Sequence, residues 1–352
     1  MKLRGKDLST VQLETVTFHK NASNPLFLKV LVEELCSHAD FFTLDKKIAN
    51  YLQATDVTQL FEKILERLEE EYNDYVDKLK VPNLVQAITT SLYASAQGLS
   101  DSEIISLLGI TTTTLSTITC VMDKYLINRF GMFTFSSFQF REAVKNKYFP
   151  AADSIKNARA LLIDFFTSQL KEKTNLLRVS QELPHLLWKQ ERHTELIDVI
   201  SHPLLYNYLV ENSPYDLTTY WKDSKASNQT IKEKYTVILN NLSGEDLLKT
   251  LFKLTAFFSI STLAPVAQGA IALLFTPPLL FFAHLFTLSS SLELVESAKK
   301  LQESINPKST IMVEILNQVA INSVDSGNFD AAIEVHLQNL DTEKALTEFV
   351  TS

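Results

Sequence analysis

Apolar residues recur at helical spacing over most of the chain. From Val57 they fall at Val57, Leu60, Phe61, Ile64, Leu65, Leu68 and Tyr72, the stripe of a helix with one buried face. Asp56 stands where a carboxylate accepts the first orphan N–H groups, with Gln59 three residues on. The run Glu69-Glu70-Glu71 is expected on the solvated side of that helix. An earlier helix opens at Asn24-Pro25, Asn as cap and Pro at the first helical position, where its missing N–H costs nothing. Leu26, Phe27, Val30, Leu31 and Leu35 form its apolar side.

Residues 83–149 read differently. A helix over Leu84, Ile88 and Leu92 is expected to stop at Gly98, and Ser100-Asp101-Ser102-Glu103 is a capping box before Ile104, Ile105, Leu107 and Leu108. Gly109 ends that second helix. A third comes after the threonine run Thr111–Thr114 and uses Leu115, Ile118, Met122 and Leu126. The alternating pieces of LINRFGMFTF around Gly131 predict a β-hairpin. Three helices and a hairpin make a winged-helix pattern, closed by a helix from Phe138 to Tyr148 before Pro150.

Residues 153–240 predict further helices, broken at Asn212-Ser213-Pro214 and at Ser224–Asn228. Near the C-terminus, ILNQVAINSVDSGNFDAAIEV has the helix-turn-helix spacing of a tetratricopeptide unit. Leu316, Val319 and Ala320 line its first helix, Gly327 makes the turn, and Phe329 and Ala332 open the second. Looser units around Ala256 and Ala283 are candidates to precede it, and a final helix after Asp341 carries Ala345, Leu346, Phe349 and Val350. The domain expectation is a small helical domain over 1–80, a winged helix over 81–150, a helical linker region over 151–240 and tetratricopeptide-like repeats over 241–352. The fold class is mainly α.

Between Lys253 and Glu293 there is no Lys, Arg, Asp or Glu, and His284 is the one ionisable residue. Leu254–Thr276 is long enough to span a bilayer, for which roughly 20 apolar residues suffice. Pro265, Gln268, the Ser and Thr content and the lack of bracketing Lys/Arg clusters favour a buried helical hairpin instead. A membrane contact through 254–292 stays the minor alternative.

Composition narrows the chemistry. Seven glycines in 352 residues, with no GxGxxG and no GxxxxGK[ST], leave no Gly-rich cradle whose backbone could approach a phosphate. A net charge of −8 disfavours broad binding of nucleic acid. Cys36 and Cys120 are solitary and no signal-peptide h-region succeeds the first residues, so a cytoplasmic location is expected. The histidines form no HExxH or other ligand spacing; His185 and His193, eight apart on helical ground, read as ordinary surface or hydrogen-bonded residues. No GxSxG occurs, and no catalytic residue, metal ligand or cofactor site is nominated. The third helix of the winged-helix pattern brings four threonines and one basic residue, Lys124; Arg129, Arg141, Lys145 and Lys147 lie on the hairpin and closing helix. A structural role is favoured over a DNA-reading one.

The ordered runs NPLFLKVLVEEL, VTQLFEKILERLEE, GLSDSEIISLLG and FTFSSFQFREAVKNKYF resemble the STAND-class NTPases, among them the NACHT-like, nephrocystin-type and telomerase-associated-type members. The resemblance covers about residues 8–150. It implies that the chain corresponds to the region C-terminal to the P-loop domain: a helical domain, a winged helix and a partner-binding repeat array. In that family a Gly-x-Pro-like element contacts nucleotide. Here it reads Ser23-Asn24-Pro25, so Pro25 is retained and the glycine is not. The family's winged helix often supplies a phosphate-contacting histidine; Ser137 stands at that position, able to cap a helix but not to supply positive charge. The expectation is a non-catalytic scaffold, a STAND remnant or fragment that binds protein partners through Leu316, Ala320, Gly327, Phe329 and Ala332. ATP or ADP would enter only with an upstream P-loop domain. The alternatives are the C-terminal part of an ATP-dependent signalling NTPase and a winged-helix nucleic-acid-binding regulator.

Overall fold

A computed structural model of the chain describes residues 8–37, 42–72 and 83–227, with single positions among 230–234 and 330–340. Among the described residues most helix starts of the first unit carry a side-chain cap, whereas Thr43, Asn175, Arg192 and Ser213 make none at theirs. Helix α1 (Thr10–Thr17) opens on a Ser9/Gln12 capping box, and a short 3-10 turn at Lys20–Ser23 leads to α2 (Pro25–Ser37). Asn24 Oδ1 accepts the N–H of Leu26 at 3.0 Å and of Phe27 at 3.3 Å, so Asn24-Pro25 does form the helix start. Helices α3 (Leu44–Leu52) and α4 (Val57–Glu71) come next; Asp56 accepts from Gln59 N at 2.9 Å. The α4 stripe is the centre of the first core: Leu60, Ile64, Leu65 and Leu68 are fully buried.

Helix α5 (Leu84–Ala94) then leads through a loop to strand β1 (Leu99–Ser100), α6 (Asp101–Leu108) and α7 (Thr112–Val121). The Ser100/Glu103 capping box forms in full, and Gly109 ends α6 in the left-handed region at φ 63°. Strands β2 (Leu126–Arg129) and β3 (Met132–Phe135) make the expected hairpin. Its two-residue turn places both Phe130 and Gly131 at positive φ, 52° and 83°, which suits the right-handed twist of the strands. The sheet is antiparallel in the order β1-β3-β2. Helix α8 (Phe138–Tyr148) packs along α4, with the Phe140 ring edge-on to Phe61 at 5.2 Å and stacked on Tyr125 at 5.1 Å.

Three expectations change here. Leu126 is not a helical position: α7 ends at Val121, Tyr125 and Leu126 both donate N–H to the Met122 carbonyl, and Leu126 opens β2. Its buried side chain falls on the face that the helical period pointed to, so spacing alone could not separate the two. Gly98 does not stop α5, which ends four residues earlier at Ala94 with Ser95 as its cap. Gly98 serves the sheet instead. At φ 88°, a Cβ on it would lie 2.2 Å from the Phe133 carbonyl oxygen, so only glycine lets this loop close on β3. Finally, Glu70 and Glu71 are exposed as expected, but Glu69 is only part-exposed. It accepts from Tyr148 Oη at 2.6 Å and pairs with Lys147 at 3.1 Å, while Glu71 pairs with Arg67.

The chain divides into two compact units, Met1–Ser168 and Gln169–Ser352. The boundary falls within α9 (Ala152–Glu172). In the second unit α10 (Leu176–Lys189), α11 (His193–Ile200), α12 (Pro203–Asn212) and α13 (Pro214–Asp223) pack on one another. Their inner faces are Val179, Leu183, Leu186, Leu196, Ile200, Leu205, Leu209 and Leu217, all buried. The breaks expected at residues 212–214 and after 223 are present. His185 and His193 belong to two helices, because α10 ends at Lys189. Among the described residues no single helix is long and apolar enough to cross a membrane. The stretch 254–292 and the repeat-motif residues lie outside the described residues.

Candidate functional site

Two polar constellations occur in the first unit. The more deeply buried centres on Glu34, whose side chain is 2% exposed on the inner face of α2. Arg67 of α4 reaches it through Nε at 3.0 Å and Nη2 at 3.3 Å. Tyr51 of α3 donates to it at 3.1 Å, and Tyr125, from the turn before β2, donates to its other oxygen. One carboxylate thus accepts from three elements, which satisfies a charge that would otherwise be costly inside a protein. Burial and the Glu34 charge push both tyrosine hydroxyls well above their usual range, so they stay protonated donors. Burial and the neighbouring Arg67 lower the amine of Lys47 on α3. Lys124, which precedes Tyr125 in the turn, donates to Ser37 Oγ at 2.7 Å and to the Glu33 carbonyl at 3.3 Å, at the end of α2. This arrangement ties α2, α3, α4 and the turn before β2 together as a structural clasp.

The second constellation lines a cavity of about 170 Å³ where the loop after α5 meets β3 and the start of α8. Leu92, Ala96 and Phe135 form apolar wall, and Ser95, Ser137 and Arg141 bring polar groups. Ser137 caps α8, its Oγ accepting from Phe140 N at 3.2 Å. Ser95 Oγ likewise accepts from Gly98 N at 3.1 Å and donates to the Leu92 carbonyl. The Arg141 guanidinium lies 4.5 Å over the Tyr93 ring and donates Nη2 to the Tyr93 carbonyl at 3.3 Å. Among the described residues the cavity therefore presents one oriented cation and no acidic side chain.

Of the residues that the sequence nominated, Ser137 lies in this cavity and Pro25 does not. Pro25 is exposed at the first position of α2. Leu316, Ala320, Gly327, Phe329 and Ala332 lie outside the described residues. Lys124, the one cation expected of the third helix, is engaged at the end of α2, and Lys147 is paired with Glu69. Sequence reasoning missed Glu34 and Arg67. The available signal was a charged residue on each apolar stripe: Glu34 falls between Leu31 and Leu35, and Arg67 between Ile64 and Leu68. Among the described residues no group of three or more His, Cys, Asp or Glu could hold a metal ion.

No family model matches the chain, and no solved structure matches it. It is 25% identical over 222 residues to a TPR repeat-containing protein of Dictyostelium discoideum. It is 24% identical over 236 residues to nephrocystin-3 of Homo sapiens. These stretches cover 61% and 65% of this chain but only 13% and 17% of those relatives. The chain thus spans less than a fifth of the length of the curated relatives it matches. The two names give a hint of tetratricopeptide-like helical repeats, and the mainly helical structure is consistent with it.

Proposed function

We propose that this chain is a non-catalytic scaffold that binds protein partners through helical repeats in residues 241–352. The observation that carries the reading is its similarity, over more than 220 residues, to a TPR repeat-containing protein. The sequence motif around Leu316, Ala320, Gly327, Phe329 and Ala332 supports it, because small residues at the helix crossing let paired helices approach and present a ridged apolar surface. The two helices, antiparallel hairpin and added strand of residues 99–135 support a winged helix in the first unit, and the similarity to nephrocystin-3 supports a STAND-type lineage. In this reading the winged helix is a packing element. Its Lys124 and Lys147 are engaged in intramolecular ties, which leaves few cations for phosphates. The scaffold is cytoplasmic, takes no nucleotide of its own, and uses Ser137 as a helix cap.

The test is capture by the full chain compared with a chain ending at Asn240. Partners held by the full chain are lost with the shorter one; if both hold the same partners, the repeats are not the binding surface. The length of the relatives favours a second reading, in which these residues work with a P-loop encoded ahead of Met1. That reading requires an in-frame GxxxxGK[ST] upstream in the gene.

A further inference from the structure

The cations of α8 differ in what they face. Lys145 pairs with Glu142 at 3.3 Å and Lys147 with Glu69 at 3.1 Å. Arg141 forms no ion pair with any described residue. One of its five N–H groups goes to the Tyr93 carbonyl, and the guanidinium is otherwise held by its stack on Tyr93 and its approach to Phe135, 6.0 Å away. A stacked guanidinium has lost most of its rotational freedom, so its planar fork is set before any ligand arrives.

We propose that the cavity beside Arg141 is a socket for a carboxylate side chain of a partner protein. Size, charge and rim support this occupant. At about 170 Å³ the cavity falls below the roughly 300–1,000 Å³ of sites that enclose small-molecule ligands, so it admits a single side chain and not a nucleotide. Among the described residues no Asp or Glu lines it, so an entering anion meets the cation without repulsion from these walls. The remaining fork matches the two oxygens of a carboxylate. Phe138, 70% exposed, stands beside it and offers apolar area to the backbone that carries the acid. This socket adds a partner position built from residues of the first unit alone and does not depend on the repeats.

The test uses the full chain and the probe peptide acetyl-Gly-Glu-Gly-amide, with saturation-transfer NMR on the peptide as readout and the Gln peptide and inorganic phosphate as comparisons. The Glu peptide is expected to bind saturably and more weakly as salt rises, with the Gln peptide about tenfold weaker or undetectable. Arg141→Lys, which keeps the charge but not the fork, should weaken binding by about tenfold. Ala96→Leu, which adds volume to the cavity wall and leaves the Arg141 charge in place, should abolish it. Equal binding of the Glu and Gln peptides, tighter binding of phosphate than of the Glu peptide, undiminished binding by both variants, or no binding at all would each overturn the socket. No residue beyond 141 enters this test, so its failure and the failure of the repeat reading are separable.

Discussion

In the first unit, Glu34 and Tyr125 lie 91 residues apart in sequence and share a hydrogen bond inside the core. In the second, the buried Glu182 pairs with Arg178 of its own helix and Arg192 with Glu195 one turn away, and the packing between α10, α11, α12 and α13 is mainly apolar, joined by Trp188 Nε1 donating to Asp223 Oδ2 at 2.8 Å. The two regions differ in how many separate segments converge on one buried charge. Apolar faces accept any neighbour of the right shape, and so suit a run of helices stacked in sequence order. A buried carboxylate accepts only a partner that places donors on it, and so fixes one register between segments far apart in the chain.

Glu34→Ala is the strongest way to break this contrast. It leaves two tyrosine hydroxyls without their acceptor and the Arg67 guanidinium with Glu71 alone, and is expected to cost about 3–5 kcal/mol. Hydrogen exchange of the full chain should show lost protection in α2, α4 and α8 and little change in α10–α13; an equal loss everywhere would mean that the contrast is not energetic. Leu183→Ala is the counterpart in the second unit. This fully buried position should lose about 2–5 kcal/mol, seen as lost protection in α10–α13 alone.

A finer comparison uses two glycines of the first unit. Gly98→Ala should cost about 1–3 kcal/mol or more, because the methyl group meets the Phe133 carbonyl as well as a left-handed backbone. Gly109→Ala has the backbone cost alone, about 1 kcal/mol, since nothing lies within 4 Å of the added carbon. Urea midpoints that fall in the opposite order would show that the close approach at β3 is relaxed in solution. The smallest effect concerns His202, whose Nδ1 accepts from Leu204 N at the start of α12 and whose pKa is lowered by burial. The folded state then holds this proton less tightly than the unfolded state does. Its contribution is complete above the ordinary value of about 6.5 and is lost as pH falls below it. His202→Asn keeps a capping acceptor without titrating, so it should flatten the pH dependence of α12 protection between about pH 7 and 5.

Helix existence was legible because caps and stripes are local: Asn24, Asp56, Ser100 and Ser137 each act within three residues of themselves. The hairpin was legible for the same reason, its turn glycine lying between two alternating pieces. Strand β1 was not, because two residues carry no period and its pairing partner Phe133 lies over thirty positions on. The ties of Glu69 were not legible because they depend on Tyr148 and Lys147, which no property of α4 announces. The cavity was half legible. Ser137 could be placed by resemblance, whereas Arg141 shows its character only once Tyr93 is beneath it.

The Glu34 clasp also bears on the order in which the protein is made. At roughly 5–20 residues per second, the 91 residues that separate Glu34 from Tyr125 take some 5–20 seconds to be added. Through that interval the nascent α2–α4 segment has Arg67 and Tyr51 to offer its inward carboxylate, but neither Tyr125 nor the Phe140 ring stacked on it. The N-terminal helices therefore cannot close their interior as they emerge. They wait on the ribosome for the far end of their own unit.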